Sequence, residues 1–272
     1  MGLRPAFQEG EVPMLFTRMM RLAGAVLLVC LMAIPHQRAQ AESFVGTDVE
    51  SRVIIGLTAN LEAVQAKMPE GWAAMPFPSG PLKGANLLVS FIDGHVMLDA
   101  DGKPLAPASR RAVTLVGLGK QIEGDQVRLF VLRIYTTVED SDPYGNAMRA
   151  GIARTITLTG PADGPREVSD FWRVVPEAGG KIRLELDFTT GRRGWSPSEA
   201  KSFSASNPDF HRIYRYDSIT DVVQSAAMGK PISGSVKLEV SILELADMFD
   251  GSETIAAILD VPVRVRKTFL PD

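Results

Sequence analysis

A period-two alternation of apolar and polar residues constrains this chain more than any other feature. In Lys181 to Phe188 (KIRLELDF), Ile182, Leu184, Leu186 and Phe188 face one way and the charged residues face the other. Ser235 to Ile242 (SVKLEVSI) alternates in the same way, and Val261, Val263 and Val265 alternate with Pro262, Arg264 and Arg266. One buried and one wetted face is the pattern of antiparallel sheet. Turn residues at Asp99–Gly102, Glu123–Asp125, Gly160–Gly164 and Gly179–Gly180 separate the strands at hairpin-like intervals. Strands recur across 84–269 without a linker or an internal repeat. The expected fold class is mainly β (α+β): one antiparallel domain over 42–272, curled or closed so that its edges are protected. Two short helices are expected beside it. Thr58 can cap one over Ala59 to Lys67, where Leu61, Val64 and Met68 share a face before Pro69 and Gly71. The other spans Ser218 to Met228, where Ile219, Val222, Val223 and Ala226 have helical spacing.

Residues 1–41 read as a signal peptide. Arg18 and Arg21 precede an uncharged run from Leu22 to Ile34; Pro35 breaks the run, and Ala39-Gln40-Ala41 supplies an A-x-A cleavage site. The run is too short to span a bilayer, which needs about 20 residues. The first residues, with Glu9 and Glu11, do not resemble a signal n-region, which makes Met14 and Met19 alternative starts. The expected location is periplasmic or secreted, with no stable membrane insertion after cleavage. Cys30 is the only cysteine and lies inside the run, in a poor lipobox, so the cleaved chain has no thiol and no disulfide.

Charge and motifs exclude several chemistries. Lys+Arg is 29 against Asp+Glu 32, a net charge of −3, with no basic excess for nucleic acid. Two histidines and no cysteine follow residue 41, too few for an ordinary zinc site, and no metal or other cofactor is expected. There is no G-x-S-x-G elbow, no P-loop and no complete G-x-G-x-x-G.

Three segments stand out. In Val127 to Glu139 (VRLFVLRIYTTVE), strict alternation puts Arg133 and Tyr135 on one face with Leu129 and Val131. Either these polar tips enter an internal cavity, or Arg133 pairs at the rim with an acidic neighbour such as Glu139. In Asp142 to Leu158, Arg154 shares a face with Ile156 and Leu158. If that face is buried, Arg154 stays charged and needs an anion, which a ligand carboxylate could supply. The alternative has Thr155 and Thr157 inward and Arg154 in water. In Asp209 to Asp217 (DFHRIYRYD), Arg212, Tyr214 and Tyr216 share a face, the pattern of a rim or edge strand.

The order of segments resembles the acetoacetate decarboxylase superfamily. Arg52 to Trp72 looks like that family's opening strand and helix, with Met68-Pro69-Glu70-Gly71-Trp72 filling its Leu-Pro-x-Gly-Leu-type motif. Gly84 to Phe91 looks like the next strand, and the likeness runs in order over 52–270. The resemblance implies a cone-shaped antiparallel β-barrel with a few peripheral helices and a mostly apolar cavity. It also implies a Schiff-base lysine beside a second lysine, after a Gly-x-Pro motif. The counterpart here is Gly151-Ile152-Ala153-Arg154-Thr155, which has neither lysine. Arginine has no free amine near neutral pH and cannot form the Schiff base.

Three readings follow. In the first, the cleaved protein binds a small apolar or carboxylate-bearing molecule in the barrel through Arg154, Arg133 and Tyr135, without Schiff-base chemistry. The second is a lyase acting on a keto acid, with Arg154 stabilising developing charge and Glu139 or His95 as acid or base. The third is an accessory envelope protein without a ligand.

Overall fold

The computed structural model describes residues 42–138 and 142–271. Residues 1–41, expected to be a signal peptide, and Glu139 lie outside the described residues. Twelve strands follow in order: β1 (Glu42–Thr58), β2 (Trp72–Met75), β3 (Leu87–Asp99), β4 (Arg110–Gln121), β5 (Val127–Thr136) and β6 (Ala147–Thr159). The second half gives β7 (Glu167–Pro176), β8 (Ile182–Thr189), β9 (Gly194–Ser204), β10 (His211–Ser225), β11 (Gly234–Val240) and β12 (Thr254–Pro271). One α-helix, α1 (Leu61–Gln65), and two 3-10 turns, Ala226–Met228 and Leu243–Leu245, complete the described elements. No described helix is long and apolar enough to cross a membrane.

The strands make one sheet in the order β11-β8-β7-β6-β5-β9-β10-β12-β1-β3-β4-β2. A further ladder joins β4 back to β5. Seven strands therefore form a closed circuit of hydrogen-bonded neighbours: β5, β9, β10, β12, β1, β3 and β4. Strands β6, β7, β8 and β11 continue from the ring as an antiparallel arm. Two ladders depart from the expected antiparallel pattern: β5 pairs in parallel with β6 and with β9, over three residues each.

Closing the ladder gives each ring strand an inner and an outer face. The dry core lies on the outer one. Val53, Ile55 and Leu57 of β1, Val89 and Phe91 of β3, and Val113 and Leu115 of β4 all pack in it. The arm supplies Trp172, Val174, Leu184 and Leu186 to the same cluster. The Phe91 and Trp172 rings lie 5.5 Å apart, tilted at 53°. Helix α1 closes another part of this core with Ala63 and Val64. Gly117 of β4 leaves room for the tip of Met68, three residues past α1, where a Cβ would press on its Cε.

Both helix expectations need correction. The first helix is shorter, Leu61–Gln65, and its cap is Asn60, whose side chain accepts from the Glu62 and Ala63 amides; Thr58 ends β1. An Asx side chain competes for this position as well as Thr does. The second helix does not form. Residues 218–225 belong to β10, between β9 and β12, and only Ala226–Met228 turns. Register shifts at Ile219/Asp221 and Val222/Gln224 explain the error. Each bulge changes which residues share a face, so a bulged strand imitates helical spacing. Pro262 is placed by the same device. It falls where β12 changes register against both β1 and β10, so its missing N–H interrupts no regular pair.

Phe91 is fully buried at the contact between ring and arm. Phe91→Ala should lower unfolding stability by about 3–5 kcal/mol, the usual cost of truncating a core phenylalanine. Denaturant titration reads this directly, and a loss below about 1 kcal/mol would mean that this contact does not hold the arm in place.

Candidate functional site

The inner faces of all seven ring strands enclose a cavity of about 420 Å³. Its two walls differ in chemistry. On β3, β4 and β5 the lining is largely apolar, with Leu88, Ile92, Val116, Leu129, Val131 and Ile134. On β1, β10 and β12 it is polar, with Asp48, Arg52, Tyr214, Tyr216, Arg264 and Arg266. Arg110, Arg212 and Tyr144 also line it. No lysine is among the lining residues.

The guanidiniums are arranged around two carboxylates. Arg266 donates to Asp48 Oδ2 through Nε at 2.8 Å and through Nη2, and Nη2 lies 3.8 Å from Glu50 Oε2. Arg52 pairs with Glu50 through Nε. Burial opposes ionisation of Glu50, but Arg52 and Arg266 outweigh it and hold the carboxyl below its ordinary value. Burial likewise opposes the charge on Arg266, and Glu50 and Asp48 reverse that.

Arg264 is compensated less well. Its Nε donates to a neutral partner, Ser218 Oγ, at 2.9 Å, and its guanidinium stacks 4.4 Å from the Tyr216 ring centroid. Burial and the nearby Arg52 push its pKa down to about 10. Arg52 Nη2 and Arg212 Nε are buried without a hydrogen-bond partner. The Tyr144 and Tyr214 hydroxyls share a 2.6 Å hydrogen bond. Burial and that neighbour raise the Tyr144 pKa, so its phenol stays protonated at neutral pH. The site therefore offers cationic and hydroxyl donors on one wall and a hydrophobic surface on the other.

The residues singled out from sequence lie elsewhere. Arg154 is inward and buried, at 5% side-chain exposure, but outside the ring. Its anions come from the protein: Asp170 takes a two-pronged pair at 3.0 and 2.8 Å, and Asp93 Oδ2 lies 3.3 Å away. Nη1 also donates to Ser51 Oγ at 2.6 Å, and the guanidinium stacks 4.8 Å from Trp172. Arg154 thus clamps β6 and β7 of the arm to β1 and β3 of the ring. Ile156 and Leu158, expected beside it in a buried face, are about half exposed.

Arg133 and Tyr135 also leave the cavity side. A register shift against β4 leaves Leu132 unpaired between Val131 and Arg133. The extra residue rotates the strand, so Ile134 and Thr136 line the cavity after Val131, while Tyr135 joins Phe130 and Leu132 in the outer core. The partner of Arg133 is Glu244, at 2.8 Å, with Tyr135 Oη donating to the same oxygen at 2.6 Å. His95 is exposed and does not line the cavity. Among the described residues there is no group of three His, Cys, Asp or Glu side chains able to hold a metal.

The polar wall had a signal in the sequence. Arg212, Tyr214 and Tyr216 share one phase of β10, and Arg264 and Arg266 share one phase of β12. Two adjacent strands carrying arginines in phase form one charged surface, whichever way it faces.

No family model matches the sequence, and no curated protein matches it significantly. Solved structures do match the fold. An acetoacetate decarboxylase-like enzyme from Sphingomonas wittichii RW1 aligns over 88% of this chain and 95% of its own, at 12% identity and TM-score 0.53. The chain has an acetoacetate decarboxylase-like fold. The enduracididine biosynthesis enzyme MppR, complexed with the condensation product of pyruvate and imidazole 4-carboxaldehyde, aligns over 86% of this chain and 90% of its own, at 11% identity and TM-score 0.50. At these identities the acetoacetate decarboxylase-like fold is what is shared.

Two outcomes test the electrostatics. Arg154→Ala should cost about 3–5 kcal/mol of unfolding stability, because it leaves the buried Asp170 carboxylate without its partner. A neutral effect on the urea midpoint would exclude a clamp. Glu50 has a lowered pKa, so its ionised form stabilises the fold above the ordinary carboxylate value of 4.5. That contribution is lost as the pH falls through the depressed value. Glu50→Gln should flatten the acid limb of a stability–pH curve, and an unchanged limb would contradict the pairing.

Proposed function

We propose that this chain is an exported, acetoacetate decarboxylase-like protein that binds a small carboxylate-bearing molecule inside the ring, without Schiff-base decarboxylase activity. In this reading the ring is the barrel wall, and the anion sits against Arg264, with Arg52 beside it. The observation that carries the reading is Arg264, a largely but not fully buried guanidinium whose described hydrogen bond goes to a neutral hydroxyl. A buried cation of this kind is stabilised by an incoming anion, since charge-assisted pairing offsets a desolvation already incurred. The facing wall of Ile92, Val116 and Val131 would cover the apolar part of the ligand.

The lack of a lining lysine supports binding without imine formation, because no other side chain offers a primary amine. Export rests on residues 1–41, whose uncharged run and A-x-A site fit a cleaved signal. MppR, complexed with the condensation product of pyruvate and imidazole 4-carboxaldehyde, is an instance of this fold with a small organic molecule bound.

Isothermal titration with octanoate tests the reading. Arg264→Gln should weaken binding at least about tenfold, the loss of one charge-assisted hydrogen bond of about 1.5–3 kcal/mol. Unchanged affinity would remove Arg264 from the site. Borohydride added with acetoacetate should leave the protein mass unaltered, and a reduced lysine adduct would overturn the absence of Schiff-base chemistry.

A further inference from the structure

The polar wall holds two separated places for negative charge. The first is formed by Arg264 with Arg52 near it; the Tyr216 ring centroid lies 4.4 and 5.9 Å from their guanidiniums. The second is Arg212, at the start of β10, with its Nε buried and unpartnered. Both line the same cavity. Between them Arg266 is already neutralised by Asp48. Among the described residues, no carboxylate pairs directly with Arg212 or Arg264.

The register fixes their separation along the wall. Arg264 is opposite Ser218 on β10, and Arg212 lies six residues before Ser218 on that strand. At about 3.3 Å per residue the two anchors stand about 20 Å apart at the backbone. A short monoanion can satisfy one of them. An elongated molecule with an acid at each end satisfies both, and its middle rests on Val116, Val131 and Ile134 of the opposite wall. Allowing about 3 Å for each guanidinium–carboxylate contact, a chain of about eight to twelve carbons spans the gap.

We infer that the ligand class is an elongated dianion, of the α,ω-dicarboxylate type, held at one end by Arg264 with Arg52 and at the other by Arg212. This rests on the reading that the cavity binds a carboxylate. The second anchor is the new element, because one acid group needs only the first.

Titration calorimetry with succinate, suberate, dodecanedioate and octanoate on the full-length protein separates the two claims. The dicarboxylates of eight and twelve carbons should bind at least tenfold more tightly than octanoate, and succinate should gain no such advantage. In Arg212→Gln the long dicarboxylates should fall to the affinity of octanoate, while Arg212→Lys should retain most of the difference. Equal binding of suberate, dodecanedioate and octanoate would overturn the dianion and leave the carboxylate reading standing. A preference that survives in Arg212→Gln would overturn the second anchor. Absence of binding by all four acids would overturn the dianion and the carboxylate reading together. Thermal melts of both variants confirm folding, and Arg212 is only partly buried.

Discussion

The β4–β5 ladder is the constraint on which the rest depends. Without it the strands would form an open sheet with one core face. With it, the ladder runs from β5 through β9, β10, β12, β1, β3 and β4 back to β5. Each strand then presents one face to an enclosed space and the other to the surroundings. The arm and α1 cover the outer face and take the large apolar residues with them. The inner face does not have to be dry, and it carries the arginines and tyrosines. This is the reverse of a small barrel packed with side chains, and it is why the fold has room for a ligand.

Two sets of buried arginines perform different tasks. Arg154 has its charge answered by Asp170 and Asp93, and it ties arm to ring. Arg266 and Arg52 meet Asp48 and Glu50 across β1 and β12. Beyond these pairs, Arg264 and Arg212 bring positive charge to the cavity without a direct carboxylate partner among the described residues. A buried arginine is thus weak evidence for a ligand until its partners are counted. Arg154 was the most conspicuous candidate by sequence, and the protein itself satisfies it.

The fold was legible in the sequence because alternation in β8, β11 and β12 reports a two-sided sheet without reference to its partners. Two things were not legible. Bulges change the phase of a strand without any fixed residue signature. The one at Leu132 moved Arg133 and Tyr135 to the outer face, and those in β10 imitated a helix. Pairing across distant strands was equally hidden. Nothing near Arg154 announces Asp170 and Asp93, and nothing near Arg133 announces Glu244. In-phase arginines on β10 and β12 were visible as a pattern, but their common surface needed the knowledge that these strands are neighbours.

The central claim is that the ring holds an acidic small molecule. Native mass spectrometry of the protein isolated from its own host, repeated after denaturation, tests it most directly. The expected result is an excess mass that is lost on unfolding and belongs to a carboxylic acid. A mass equal to that of the chain alone, unchanged after incubation with suberate, would contradict it.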